Sequence, residues 1–168
     1  MTKALGILLA EDEENDVFLL QRAFQAAKIK NPLFIVRDGE EAIQYLSGTG
    51  IFSDRNQHPL PALFILDIKM PRKSGMEVLR WLRKQPVLNS LPALIMSSSA
   101  VPHDIERAYQ LGANAFIVKP STNEERAELA RNIKGFWLGF NRPPIVCTEG
   151  LEVARRFYDE TLVHGSFF

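Results

Sequence analysis

The sequence predicts an α/β fold in which five parallel strands form one sheet, doubly wound by helices on both faces. Five short apolar runs recur along the chain, each continuous and not alternating, as strands covered on both faces require. Between these runs apolar residues return at helical spacing. Strand then helix, repeated, is joined by right-handed crossovers into a parallel sheet.

The first run is "ALGILLA" (4–10), and Val17, Leu20, Phe24 and Ala27 mark the helix after it. Asn31-Pro32 separates that helix from "LFIV" (33–36), and Ala42, Tyr45 and Leu46 carry the second helix. "SGTGIFSDRNQHPLP" (47–61) reads as a long loop. "ALFIL" (62–66) is the third strand, followed by a helix through Val78, Leu79 and Leu82 that stops at Gln85-Pro86 and shows Arg80, Arg83 and Lys84 to solvent. Leu91-Pro92 precedes the fourth strand, "ALIM" (93–96); Val101-Pro102 opens and Leu111-Gly112 closes a fourth helix with Ile105, Ala108 and Leu111 inward. "AFIV" (115–118) is the fifth strand. The fifth helix begins within Ser121 to Glu125, where "STNE" and "TNEE" both fit a capping box. Ala127, Ala130, Ile133 and Trp137 give it an apolar side, and Phe136, Trp137 and Phe140 supply more aromatic area than one sheet edge normally needs. Pro143-Pro144 should break it. Residues 1–142 are therefore expected as one domain and 143–168 as an extension, in which Leu151, Ala154, Tyr158 and Leu162 form one stripe of a short amphipathic helix. That extension is expected either to pack on the domain's own surface or to contribute to a homodimer or partner contact, and it is too short for an ordinary DNA-binding output domain.

Bulk composition limits the function classes. The chain has 168 residues, 46% of them hydrophobic, enough for one core of useful size. Its 20 basic and 20 acidic residues cancel, so neither nucleic acid nor an acidic membrane is expected as a partner. The single cysteine, Cys147, excludes an internal disulfide and permits a reducing compartment. The N-terminal "MTKALGILLAEDEEN" meets acids by Glu11 and lacks a small-residue cleavage site, and no apolar run approaches the roughly 20 residues of a membrane span. A cytoplasmic protein is expected. His58, His103 and His164 lack metal-ligand spacing and read as surface residues.

In open parallel sheets, ligands bind outside the carboxyl ends of the strands. Glu11 and Asp12 follow the first strand, Asp67 the third, Ser97 the fourth and Lys119 the fifth. Carboxylates gathered there repel one another unless a partner balances them. Three of them converging suggest a hard divalent cation with oxygen ligands, most simply Mg²⁺. A cation alone would not need Lys119. A lysine and a hydroxyl beside it make a site for a phosphoryl group, with metal and ammonium neutralising its oxygens while a carboxylate attacks phosphorus.

The acidic pair in "LLAEDEEND", Asp67 in "ILDIKMPRKSG", Ser97 in "IMSSS" and Lys119 in "IVKP", in that order, resemble the receiver domain of two-component response regulators over residues 5 to about 140. The segments "VRDGEEAIQYL", "HPLPALFILDIKMP" and "EVLRWLRKQP" look most like the stand-alone regulators that partner phytochrome-type histidine kinases. The resemblance implies a flavodoxin-like sheet order and a phosphoacceptor, Asp67, charged by a kinase phosphohistidine within a phosphorelay. It implies that Glu11, Asp12, Asp67 and the backbone carbonyl of Lys69 hold Mg²⁺. Lys119 and Ser97 would meet the phosphoryl oxygens, Ser97 and Phe116 would form the switch, and the Lys119-Pro120 bond would be cis. The bare residues leave Ser98 and Ser99 open as helix caps beside Ser97, Phe116 as ordinary core and Lys69 as a solvated lysine.

Three rivals are weighed against this reading. A flavodoxin-like enzyme needs a Ser/Thr/Gly-rich phosphate loop after the first strand, where "EDEEN" stands. An aspartyl-nucleophile phosphatase wants a second acid two residues after Asp67, where Lys69 stands. The chain is therefore expected to be a signalling protein and not an enzyme. The remaining alternative is a phosphorylation-independent, receiver-like interaction domain.

Overall fold

The computed structural model describes residues 5–144. Five strands, β1 (Ile7–Ala10), β2 (Leu33–Val36), β3 (Leu63–Asp67), β4 (Ala93–Ser97) and β5 (Ala115–Val118), form one parallel sheet in the order β2-β1-β3-β4-β5. The helices between and after them are α1 (Glu14–Ala26), α2 (Gly39–Ser47), α3 (Gly75–Leu82), α4 (Pro102–Gln110) and α5 (Asn123–Asn132), the last continuing as a π-helical segment, Ile133–Phe140. This is the doubly wound arrangement expected. The strand order reverses between β1 and β3, which opens a crevice at their carboxyl ends.

Strand periodicity divides the core. Ile7, Leu9, Leu63, Ile65, Leu94 and Met96 meet α1 and α5 on one face, while Leu8, Ala10, Phe64, Leu66, Ala93 and Ile95 meet α2, α3 and α4 on the other. The central strands β1, β3 and β4 are buried throughout. Strands β2 and β5 are only partly covered, because each is an edge of the sheet.

Local signals set the helix boundaries. Thr122 caps α5 and exchanges bonds with Glu125, so "TNEE" is the capping box that forms, and Pro102 occupies the first turn of α4. Trp137 and Leu138 pack on the α1 face of the core, whereas Phe136 and Phe140 are 54% and 84% exposed. The segment ends at Phe140, ahead of Pro143-Pro144. The amphipathic stripe expected at 151–162 lies outside the described residues, as do Cys147 and His164. Among the described residues no helix is long and apolar enough to cross a membrane.

Two side chains depart from expectation. His58 does not stand free on the surface: its ring meets Phe52 and Tyr45 edge-on at 5.2 and 5.8 Å. It is drawn there because the 47–61 loop folds back, with Gly50–Phe52 as a 3-10 turn and the Arg55 guanidinium donating to the carbonyls of Tyr45, Leu46 and His58. Arg83 is likewise half-buried at the end of α3. Its guanidinium donates to the carbonyls of Gly112, Asn89 and Leu91 and to Asn114 Oδ1, joining α3 to the loops before β4 and after α4. Arg83→Ala is expected to cost about 1–3 kcal/mol by stranding these acceptors. Arg80→Ala, on the exposed face, should stay within about 0.5 kcal/mol. Urea midpoints at unchanged slope measure both, and equal midpoints would refute the clamp.

Candidate functional site

Sheet register brings the predicted residues together. Ala10 pairs with Leu66, so Glu11 lies level with Asp67; Asp67 pairs with Met96, and Ser97 with Val118. The Lys119 N–H then donates to the Ser97 carbonyl at 2.8 Å. The alternation that sorts the core also sorts the site. Glu11, Asp67 and Lys119 continue the rows of Leu9, Ile65 and Ile117, which face α1 and α5. Ser97 continues the row of Ile95, the register partner of Phe116, which faces α4.

Carboxylate oxygens of Glu11, Asp12 and Asp67 all lie within 4.8 Å of one another. Lys119 Nζ is 2.7 Å from Glu11 Oε2 and 3.3 Å from Asp67 Oδ2. Burial pushes both Glu11 and Asp67 above the usual carboxylate range, opposed by the Lys119 ammonium and, at Asp67, by the backbone N–H groups of Lys69 and Ile68. Burial alone would lower the pKa of Lys119, but hydrogen bonds to Asp16 and Glu11, with the charges of Asp67 and Glu11, raise it overall. One ammonium does not balance this many acids. Asp12 Oδ1 is buried and has no hydrogen-bond partner among the described residues. An orphaned carboxylate oxygen on one member of this three-acid cluster fits a divalent cation, whose coordination would repay the desolvation.

The loop from β3 to α3 fixes the backbone beside Asp67. The Gly75 N–H donates to the Ile68 carbonyl at 2.9 Å, and Ser74 caps α3 in a reciprocal capping box with Glu77. Lys69 is exposed on this loop, as a solvated lysine would be. Ser97 is fully buried, and its Oγ accepts from the Ser99 N–H at 3.1 Å. Ser99, not Ser97, reaches α4, with its Oγ 3.3 Å from Asp104 Oδ2. Phe116 is partly buried against the α4 side of the core, away from the acids, and its N–H donates to the Tyr109 hydroxyl.

The structure corrects one expectation and adds one residue. Lys119-Pro120 is not cis, since every described peptide bond is trans; the loop keeps the isomer that X-Pro amides prefer by about 0.5–1 kcal/mol. The added residue is Asp16, on the first turn of α1, which accepts from Lys119 Nζ at 2.8 Å. The sequence held only half of the signal for it, the helix face of Asp16 and not the partner that face would meet. Asp16 and Leu20 are four residues apart and so share a helix face, and Leu20 is buried against the sheet face that carries Lys119.

Known proteins resemble the chain over most of its length. The family model "Response regulator receiver domain" matches residues 7–131. Response regulator Rcp1 from Synechocystis sp. is 31% identical over 132 residues, covering 79% of this chain and 88% of its own. The crystal structure of the Mn²⁺-bound form of Rcp1 superposes with a TM-score of 0.75 at 30% identity, covering 84% of this chain and 99% of that one. Response regulator RPA3017, in red light signalling of R. palustris, gives 0.80 at 35% identity, and the phosphorylated cyanobacterial phytochrome response regulator RcpA gives 0.78 at 31%; both alignments cover 84% of this chain and 99% of theirs.

Proposed function

The chain belongs to the response regulator receiver domain family, and on that premise we propose that it accepts a phosphoryl group from a histidine kinase onto Asp67, in the presence of Mg²⁺, and so switches a protein-binding surface. The observation that carries the proposal is the Lys119 ammonium between Glu11 and Asp67 beside the orphaned Asp12 oxygen. Glu11, Asp12, Asp67 and the backbone carbonyl of Lys69 would hold the cation, which when bound offsets their charge and polarises phosphoryl oxygens. The Asp67 carboxylate oxygen forms the new bond to phosphorus as the phosphorus–nitrogen bond to the donor imidazole breaks, and the imidazole takes a proton from solvent. Lys119 pairs with one phosphoryl oxygen and the Ser97 hydroxyl donates to another. The likeness to RPA3017 and RcpA supports a phytochrome-type kinase as the donor. Exposed Phe136 and Phe140, with the extension after residue 142, are the proposed contact for that kinase or for a second copy of the chain. Incubation with a small phosphodonor and Mg²⁺, read by intact mass, should add one phosphoryl group. Unchanged mass would favour a phosphorylation-independent interaction domain.

That Ser97 and Phe116 face the same side of the sheet supports a switch that couples them. Phosphorylation draws Ser97 toward Asp67, and Phe116 takes up the space released. The ring is already partly buried, so the gain is a fraction of the roughly 1.5–3 kcal/mol for burying a whole Phe side chain. Beryllofluoride with Mg²⁺ should therefore move NMR resonances across residues 101–119. Shifts confined to the loops around Asp67 would overturn the switch.

A further inference from the structure

We propose that Asp38 and Arg72 form a latch that positions the β3–α3 loop for metal binding; the inference rests on the receiver reading above and assigns a role that reading leaves empty. Asp38 caps α2, with Oδ1 accepting from the N–H groups of Glu40 and Glu41 at 2.8 and 2.9 Å. Its residue is 1% exposed, so a carboxylate is held here out of water. Two helix N–H groups satisfy one of its oxygens. The other, Oδ2, is taken by the Arg72 guanidinium, which comes from the phosphoacceptor loop and not from α2.

Arg72 is held at a cost. Its φ is 65°, and the Lys73 N–H donates to the Pro71 carbonyl at 2.8 Å, which makes a γ-turn of the strained, positive-φ kind centred on an arginine. Such a turn persists where its surroundings over-determine it. Beyond the Asp38 pair, Gly39 supplies close approach: a Cβ at that position would lie 2.2 Å from the Lys73 carbonyl oxygen. The start of α2 and the tip of the loop are thus clamped both by charge and by backbone contact. The same loop begins at Ile68 and Lys69, whose N–H groups favour the charged form of Asp67 and whose Lys69 carbonyl is the one proposed to meet the cation. Asp38 and Arg72 touch no reacting atom. They are positioning residues, acting through the loop backbone, one step further from the cation than partners bonded directly to metal ligands. Loss of such direct partners costs about 10–100-fold in affinity, so the lower end of that range is the expectation.

The test is calorimetric titration of Mn²⁺ into the unphosphorylated full chain. Arg72→Asn removes the guanidinium while keeping a residue tolerant of positive φ. Asp38→Asn keeps an oxygen to accept from Glu40 and Glu41 but loses the charge. Each is expected to weaken Mn²⁺ binding on the order of tenfold, the double variant no further than either single one, and Arg72→Lys to retain most of the affinity. Urea midpoints on the same proteins separate the two roles, since a merely structural pair would lower the midpoint and leave affinity unchanged. Wild-type affinity in both single variants, or losses that add in the double variant, overturns the latch. Absence of Mn²⁺ binding by the wild-type chain would instead sink the metal site itself, and with it the proposal that Asp67 accepts a phosphoryl group with Mg²⁺.

Discussion

Asp67→Asn should take up no phosphoryl group, under conditions where the wild-type chain is labelled in full. The substitution preserves side-chain shape and replaces the attacking oxygen with an amide that cannot form the acyl phosphate. Asp67 is 5% exposed at the carboxyl end of β3, and Lys119 Nζ stands 3.3 Å from its Oδ2, so an isosteric change leaves the fold in place while removing a buried charge. Metal dependence is the companion expectation. Chelation of divalent ions, or Asp12→Ala, removes the partner of an acidic cluster that one lysine cannot neutralise, and labelling should fall at least about tenfold. Intact mass after exposure to a small phosphodonor measures all three. Full labelling of Asp67→Asn would refute the assignment, and full labelling in the presence of chelator would refute the metal requirement.

Gly75→Ala is expected to damage both fold and site. Gly75 opens α3, and a Cβ there would lie 2.1 Å from the Asp67 carbonyl oxygen and 2.9 Å from its carbon. Backbone cannot swing aside as a flexible side chain can, so either α3 or the end of β3 must shift. Overpacking of this kind costs about 1–3 kcal/mol. A displacement of about 1 Å at the nucleophile can slow reaction about 10²-fold. Urea unfolding and the rate of labelling should therefore fall together. Gly135→Ala is the matched control, because nothing lies within 4 Å of its Cβ position; it should leave labelling unchanged. Wild-type stability and rate in Gly75→Ala would show that the contact is not tight.

The fold was readable because its signals are local. "LFIV" and "AFIV" are strands at the residues expected, and the alternation of apolar runs with helical periodicity fixes a parallel sheet through chain chemistry alone. β3 and β4 run one residue past their apolar stretches, to Asp67 and Ser97, because the ladder is made by main-chain groups and takes no account of the side chain. The acids, serine and lysine of the site were readable for a related reason. Each sits immediately after a recognisable strand, and parallel strands place those ends side by side.

By itself the sequence determined strand count, most helix faces, a cap within "STNEE" for α5, and the convergence of Glu11, Asp12, Asp67 and Lys119. Tertiary structure alone decided that Asp16 shares the Lys119 ammonium, that Arg83 ties α3 to two distant loops, that His58 packs on Tyr45 and Phe52, and that Arg72 reaches Asp38. The difference is physical. Hydrophobic periodicity and capping act over a few residues and leave a pattern in the chain, whereas a polar side chain's partner is set by which groups the packed core brings within about 3 Å, and residues as far apart as Asp16 and Lys119 carry no joint mark of that meeting.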